Sequence, residues 1–348
     1  MSSILPPLIK SFLGDGIITG IGSILVFLPN IVFLFLFLAF LEDVGYMARA
    51  AFVVDKIMHK LGLTGKSIIP MILGFGCNVP AIMATRAIED KNDREVTALV
   101  NPLMSCSARL PVYLIFAGAF FAAYKGTVVL SMYVLGLMLA IVMALLFRKM
   151  LFRGPSVGFV MELPPYMMPV VKNMLIKTWE RSKRFLFKAG TIILIAAILI
   201  WILSITGPSG YIGIEALEDP YLLEKSWIGA LGHFLEKVFS PMGWDWRAAA
   251  ALFFGFVAKE VVVAAMAMLY GASGEEMLPS ILAGIFTPLT AYAYMAFVLI
   301  YVPCLATLAS IRGELGIKYA LFALIYEILL AYFVALSIVF IGHVLGIS

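Results

Sequence analysis

Residues 74–86 read GFGCNVPAIMATR and residues 101–113 read NPLMSCSARLPVY, joined by the polar run RAIEDKNDREV at 86–96. Two otherwise apolar segments are each interrupted by small, helix-breaking and polar residues. Cys77, Asn78 and Pro80 interrupt the first. Asn101, Pro102, Ser105, Cys106, Ser107, Arg109 and Pro111 interrupt the second. Backbone freed from helical hydrogen bonds survives in lipid only where it is buried in protein or lines a watery cavity. Paired interruptions of this kind are the best sequence-level pointer to a transporter's substrate site.

Composition agrees with a membrane setting. The 348 residues are 63% hydrophobic and only 13% charged, with a mean hydropathy of +1.03, which no soluble domain of ordinary make-up matches. Several windows of about 20 apolar residues fit a hydrocarbon core roughly 30 Å thick. An all-α polytopic membrane protein is expected. No basic face with interleaved aromatics suggests nucleic acid. Three cysteines, all in or beside apolar segments, make no disulfide framework. MSSILPPLIK has neither a basic n-region nor a cleavage site, so no cleavable signal is visible.

Outward from the two interruptions, the pattern predicts a surface segment over the first twenty residues, with Pro6, Pro7, Lys10 and Asp15. A span at about 21–41 follows, then an interfacial amphipathic helix within 42–63. Glu42, Asp43 and Arg49 read as a structural charge cluster at a helix end, and His59 as a solvated side chain. The Gly65-Lys66-Ser67 triplet lacks the glycine a phosphate loop needs five positions earlier, where Lys60 stands. No nucleotide site is visible in the chain. Residues 67–85 are too short either side of their break to span twice, and predict a re-entrant hairpin. A broken span at about 96–123 and a span at about 127–147 follow.

From Arg148 to Lys188 nine Lys/Arg face only Glu162 and Glu180, which places this connection in the cytoplasm by the positive-inside rule. A span at 188–206 then leads outside, to a loop at 207–246. That loop carries Glu215, Glu218, Asp219, Glu224, Glu236 and Asp245 against Lys225 and Lys237, and reads as a solvated external segment. The pattern then recurs. Residues 247–271 resemble the first hairpin, with Gly255-Phe256 in the place of Gly74-Phe75 and Lys259-Glu260 near that of Cys77-Asn78. A second broken span is interrupted at Pro303-Cys304, and a last span runs over about 318–344. Three crossings per half make the halves an inverted repeat, with the substrate near the midplane between them. The expected divisions are 1–147, a basic connection at 148–188, and 189–348.

The three cysteines lie at helix breaks that each carry proline, Cys304 directly after Pro303. A lone cysteine is most often a small buried hydrophobe, but three at breaks make candidate metal ligands. Cys77, Cys106 and Cys304 are therefore the primary candidates, with Asn78, Ser105, Ser107 and Glu260 as supporting ligands. Thiolate, carboxylate and carbonyl donors suit a borderline divalent ion, for which geometry decides selectivity more than affinity does. Intramembrane charges are functional candidates by default. Arg109 and Lys259 are equally readable as struts on carboxylates or helix C-termini, and Glu327, facing no break, as a lone buried anchor. His233 and His343 lie near surface ends and are not expected to be ligands. A cysteine nucleophile lacks a nearby base, which argues against an intramembrane enzyme.

Taken together, GFGCNVPAIMATR, NPLMSCSARLPVY, LEDVGYMARAAF, GFVAKEVVV and YVPCLATLASIRGE resemble the membrane domain of the ferrous iron transport protein B (FeoB) family. The resemblance implies two Gate repeats related in fold to nucleoside transporters, and Fe2+ as a transported substrate rather than a cofactor. It also implies a multi-pass setting in the cytoplasmic (inner) membrane of a bacterium or archaeon. The family's GTPase domain and first span are not found in these residues. Nucleotide coupling is thus expected from a GTPase domain or chain outside them, with small accessory Feo proteins and a homo-oligomer as further partners. A carrier of nucleosides or other polar solutes on the same fold is the alternative. Stacking aromatics near the hairpins would serve it, whereas cysteine-lined breaks serve a metal better.

Overall fold

A computed structural model of the chain describes residues 11–60, 62–152, 166–208, 210–217, 219–272 and 276–346. The surface reading of Pro6, Pro7 and Lys10, and the charges of Arg153, Glu162 and Glu218, lie outside the described residues. What is described is overwhelmingly helical, as uninterrupted apolar sequence in lipid must be.

The first half opens with a π-helical stretch, Phe12–Ile18, running into α1 (Thr19–Asp43). Helix α2 (Tyr46–Lys60) follows and leaves Tyr46, Phe52 and Val53 exposed. Two short helices, α3 (Ile68–Gly76) and α4 (Asn78–Ala84), come next, separated by one extended residue, Cys77. At 1.5 Å per residue, nine-residue α3 is only about 13 Å long, and it packs back on α4. The interrupted segment is α5 (Lys91–Val100) and α6 (Leu110–Phe120), with single 3-10 turns at Asn101–Leu103 and Ser107–Arg109 between them. Asp90 fixes where α5 begins, its side chain accepting a hydrogen bond from the Asp93 amide at 2.8 Å. Long helix α7 (Lys125–Met150) closes the half.

The second half repeats this order. It runs through α8 (Val171–Ile205), α9 (Trp227–Phe239), the short pair α10 (Trp246–Val257) and α11 (Val261–Leu269), the interrupted pair α12 (Pro288–Ile300) and α13 (Leu305–Leu315), and α14 (Ile317–Val344). Thr287 starts α12 with a reciprocal cap: its hydroxyl accepts from the Thr290 amide while its own amide donates to the Thr290 hydroxyl. Two departures from expectation stand out. Helix α8 begins at Val171 rather than near 188, so six of the nine Lys/Arg of the basic stretch lie on the first half of one 35-residue helix. The acidic loop is also partly ordered, with α9 capped by the Ser226 hydroxyl.

Among the described residues, four stretches are long and apolar enough to cross a membrane: Lys91–Phe120, Ala122–Met150, Pro288–Leu315 and Ile317–Val344. They point to a membrane protein. Lipid supplies no hydrophobic drive between helices, so close packing depends on small residues. Helix α14 buries Ala320, Ala323, Ala331, Ala335 and Gly342 along one stripe, with Glu327 in its middle. Glycines mark the tightest approaches. A Cβ on Gly136 of α7 would lie 2.7 Å from the Leu103 carbonyl at the first break.

The halves interlock. Helix α1 packs along α8, α4 packs on α13 of the other half, and α11 touches α6. Ion pairs fasten this arrangement. Asp43 and Glu42 at the end of α1 bind Lys177 and Arg181 of α8 at 2.6 and 2.8 Å, in keeping with a structural charge cluster. Arg49 instead stacks over the Tyr166 ring at 3.2 Å. His59 is half-exposed but pairs with Asp55 at 3.4 Å, so it is not simply solvated.

Candidate functional site

The backbone conformation at the breaks is the same in both halves. Cys77 is extended at φ −156°, ψ 129°, and its positional counterpart Ala258 at φ −149°, ψ 127°. Cys106 and Cys304 stand just ahead of the helical turns that resume each broken segment, at φ −75°, ψ 161° and φ −54°, ψ 153°. The counterpart of Cys77 is thus Ala258, and that of Asn78 is Lys259.

Each break frees backbone carbonyls that must find donors. In the first half Arg109, 1% exposed, donates to the Met104 and Pro102 carbonyls at 2.9 and 3.0 Å. It therefore caps a helix C-terminus, one of the two roles its sequence allowed. Asn78, with its amide nitrogen turned to them, lies 3.2 Å from the Gly74 carbonyl and 3.3 Å from the Asn101 carbonyl and side-chain oxygen. Asn101 in turn donates to the Pro70 carbonyl at 2.8 Å. In the second half Lys259, 2% exposed, donates to the Tyr301 carbonyl at 3.1 Å and sits over the Tyr301 ring at the same distance. The residue after each hairpin's extended position thus reaches the freed carbonyls of its own broken helix.

The cysteines come together from different halves. Cys77 and Cys304 both pack on the small cluster of Val79 and Ala306, with Met83 beside them. Cys77 also lies within electrostatic range of Cys304, Cys106 and Glu260. The Cys304 thiol contacts the Thr307 hydroxyl at 3.2 Å; Thr307 escaped the sequence reading, although a Cys-x-x-Thr spacing at a helix start brings the two side chains together. A cavity of about 390 Å³ lies between α1 and the first hairpin, lined by Phe35, Leu38, Leu73, Val79 and Met83, and by the charged Glu42, Arg86 and Arg181. Val79 and Met83 belong to both the cavity wall and the cysteine cluster, so one layer of side chains separates the two.

The supporting candidates have other engagements. Ser105 is buried against the Tyr113 hydroxyl at 3.0 Å, and Ser107 donates to the Gly76 carbonyl at 3.0 Å, tying the first break to the first hairpin. Glu260 is half-buried beside the second hairpin's break. Among the described residues no three His, Cys, Asp or Glu side chains are gathered closely enough to hold one ion. Glu327 is not the lone anchor its sequence suggested. It lies within electrostatic range of Arg109 and Lys259, and neighbouring Tyr326 links it to the Leu99 carbonyl one turn before the first break. His233 sits between Glu224 and Glu236 at 3.2 and 3.1 Å, away from the breaks.

Paired short hairpins, paired interrupted helices and thiols meeting at the breaks define a transporter-type helical membrane domain. The chain belongs to the Gate family, described as "nucleoside recognition", whose pattern matches residues 24–120 and 186–318. Residues 129–181 match the C-terminal region of ferrous iron transport protein B. Over 99% of its length the chain is 58% identical to the Fe(2+) transporter FeoB of Methanocaldococcus jannaschii, covering 51% of that protein. It is 45% identical to the Fe(2+) transporter FeoB of Staphylococcus aureus over 97% of its own length and 50% of the relative's. A fusion of Fe(2+) transport protein A with FeoB from Porphyromonas gingivalis is 45% identical over 96% of this chain and 44% of the relative. The chain thus spans about half the length of the curated relatives it matches. No solved structure matches it.

Proposed function

We propose that this chain forms the transmembrane pathway for Fe2+ across the cytoplasmic membrane, with the ion passing the breaks at Cys77, Cys106 and Cys304. One observation carries the reading: cysteines from opposite halves, each at a helix break, pack on one cluster a single side-chain layer from a cavity. Thiols, freed carbonyls and a nearby carboxylate form a donor set suited to a borderline divalent ion. Conduction needs binding weak enough to release. Two thiols, from Cys77 and Cys304, with Cys106, Asn78, Ser105, Ser107 and Glu260 contributing as the breaks move, meet that need better than a closed four-thiolate cage.

The matching order of elements and the matching conformations at the breaks support two Gate repeats. In this reading each crosses the membrane three times, α1 and α8 supplying the first crossing of each, and the odd count inverts one repeat against the other. The basic first half of α8 lies in the cytoplasm and α9 outside. Nucleotide coupling comes from a GTPase domain or chain, and the fusion relative favours a small accessory partner. The names of the relatives and the thiols at the breaks favour a metal over a nucleoside.

The test is Fe2+ uptake under reducing, anaerobic conditions into liposomes containing the purified protein. Cys77→Ser and Cys304→Ser are each expected to lower uptake at least about tenfold, the scale on which disturbed metal sites lose affinity. Unchanged uptake in both variants would overturn the reading, and uptake of nucleosides in place of iron would establish the alternative.

A further inference from the structure

The second break holds a buried lysine, Lys259, that no ion pair among the described residues engages. Its three donors make one hydrogen bond among those residues, to the Tyr301 carbonyl. Its Nζ also lies over the Tyr301 ring face, a position in which an ammonium is attracted more strongly when water is excluded. Arg109 at the first break is different in kind. Its planar fork grips two carbonyls, whereas an ammonium on a flexible four-carbon stem is a movable point charge.

A place for that charge to go is also present. Glu327, fully buried in the alanine stripe of α14, has one carboxylate oxygen, Oε2, with no hydrogen-bond partner among the described residues. Lys259 is within electrostatic range of Arg109, which repels it, and of the thiols of Cys106 and Cys304 and the carboxyl of Glu327. A buried cation near thiols and over a freed carbonyl stands where a transported cation would be held, and two positive charges cannot share that place at low dielectric cost.

We propose that Lys259 is a tethered cation that keeps the second break filled in the ion-free protein, and that an arriving dication displaces its ammonium from the Tyr301 carbonyl to Glu327 Oε2. The inference rests on the metal-pathway reading. It adds a built-in competitor to that pathway: the ion is released when the ammonium returns, so the site never keeps what it binds. The first repeat carries neutral Asn78 at the equivalent position, so one break only has this device.

Equilibrium binding of Fe2+ to the purified, detergent-solubilised protein tests it. Lys259→Asn copies the residue of the first repeat and is expected to bind at least about tenfold more tightly, a coupling of ordinary size. Glu327→Gln is expected to bind about tenfold more weakly. That loss should largely vanish in the Lys259→Asn background, since the two changes act on one switch. Should Lys259→Asn fail to fold, Lys259→Arg, whose fork cannot leave the carbonyl, is expected to weaken binding. A simple strut predicts unchanged or weaker binding in Lys259→Asn; that result overturns the tethered cation while leaving the metal reading intact. No binding by any variant, the parent included, overturns the metal reading and this inference with it.

Discussion

Gly74 owes its place to Asn101. A Cβ there would lie 2.6 Å from the Asn101 side-chain oxygen and 2.9 Å from the Met104 Cβ. Gly74→Ala should therefore push the first hairpin off the first break and cost about 1–3 kcal/mol, the usual scale of overpacking, read as a lower melting temperature in detergent. The cysteines were legible in sequence because their neighbourhood is: helix breakers inside apolar runs leave free carbonyls, and a thiol there has something to act with. The link between Lys259 and Glu327 was not legible. Sixty-odd residues separate them, and only packing reveals that the alanine stripe of α14 carries its one carboxylate past the breaks. Nor did the sequence reveal that Ser105 and Ser107 already spend their hydroxyls on Tyr113 and Gly76.

At the scale of elements, the breaks are braced by buried side chains that donate to the freed carbonyls of Pro102, Met104 and Tyr301. Arg109 serves two of them, so its removal leaves two buried acceptors bare at about 1–3 kcal/mol each. Arg109→Met should destabilise the protein severely. Arg109→Lys, able to reach one carbonyl, should fall between the two, and thermal unfolding will rank them. Equal stability of all three would mean the carbonyls find other partners. The hairpins and broken spans were readable from proline, glycine and length. The start of α8 was not: nine Lys/Arg read as a loop, yet seventeen residues ahead of the expected start are helical, anchored through Lys177 and Arg181 to the carboxylates ending α1. Amphipathic, charged helix at a membrane edge carries too little hydropathy to betray itself. A similar anchor joins the halves, where Arg86 binds the Glu314 carboxylate through two hydrogen bonds at 2.5 and 2.6 Å.

For the whole molecule, the proposed orientation rests on charge asymmetry. Lys172→Cys, on the basic part of α8, should react with a membrane-impermeant thiol reagent only after cells are opened. Tyr221→Cys, exposed in the acidic segment, should react in intact cells; the converse would invert the topology. The chain itself should not bind GTP. The Gly65 amide, in the Gly-Lys-Ser triplet, donates to the Asp55 carboxylate at 2.8 Å, a partner that repels phosphate, and measurable nucleotide binding to the purified protein would contradict this. The matching order of elements in the two halves was legible, but low identity between them concealed that Ala258, not Lys259, has the backbone conformation of Cys77.

In the proposed pathway Cys77 and Cys304, brought from opposite halves, serve one ion. X-ray absorption at the iron edge of Fe2+-loaded protein tests it most directly. Sulfur scattering at about 2.3 Å, the usual length of a metal–thiolate bond, is expected in the parent protein and should be lost when Cys77→Ser and Cys304→Ser are combined. A first shell of oxygen and nitrogen alone in the parent, or a sulfur shell unchanged in the double variant, would contradict the account.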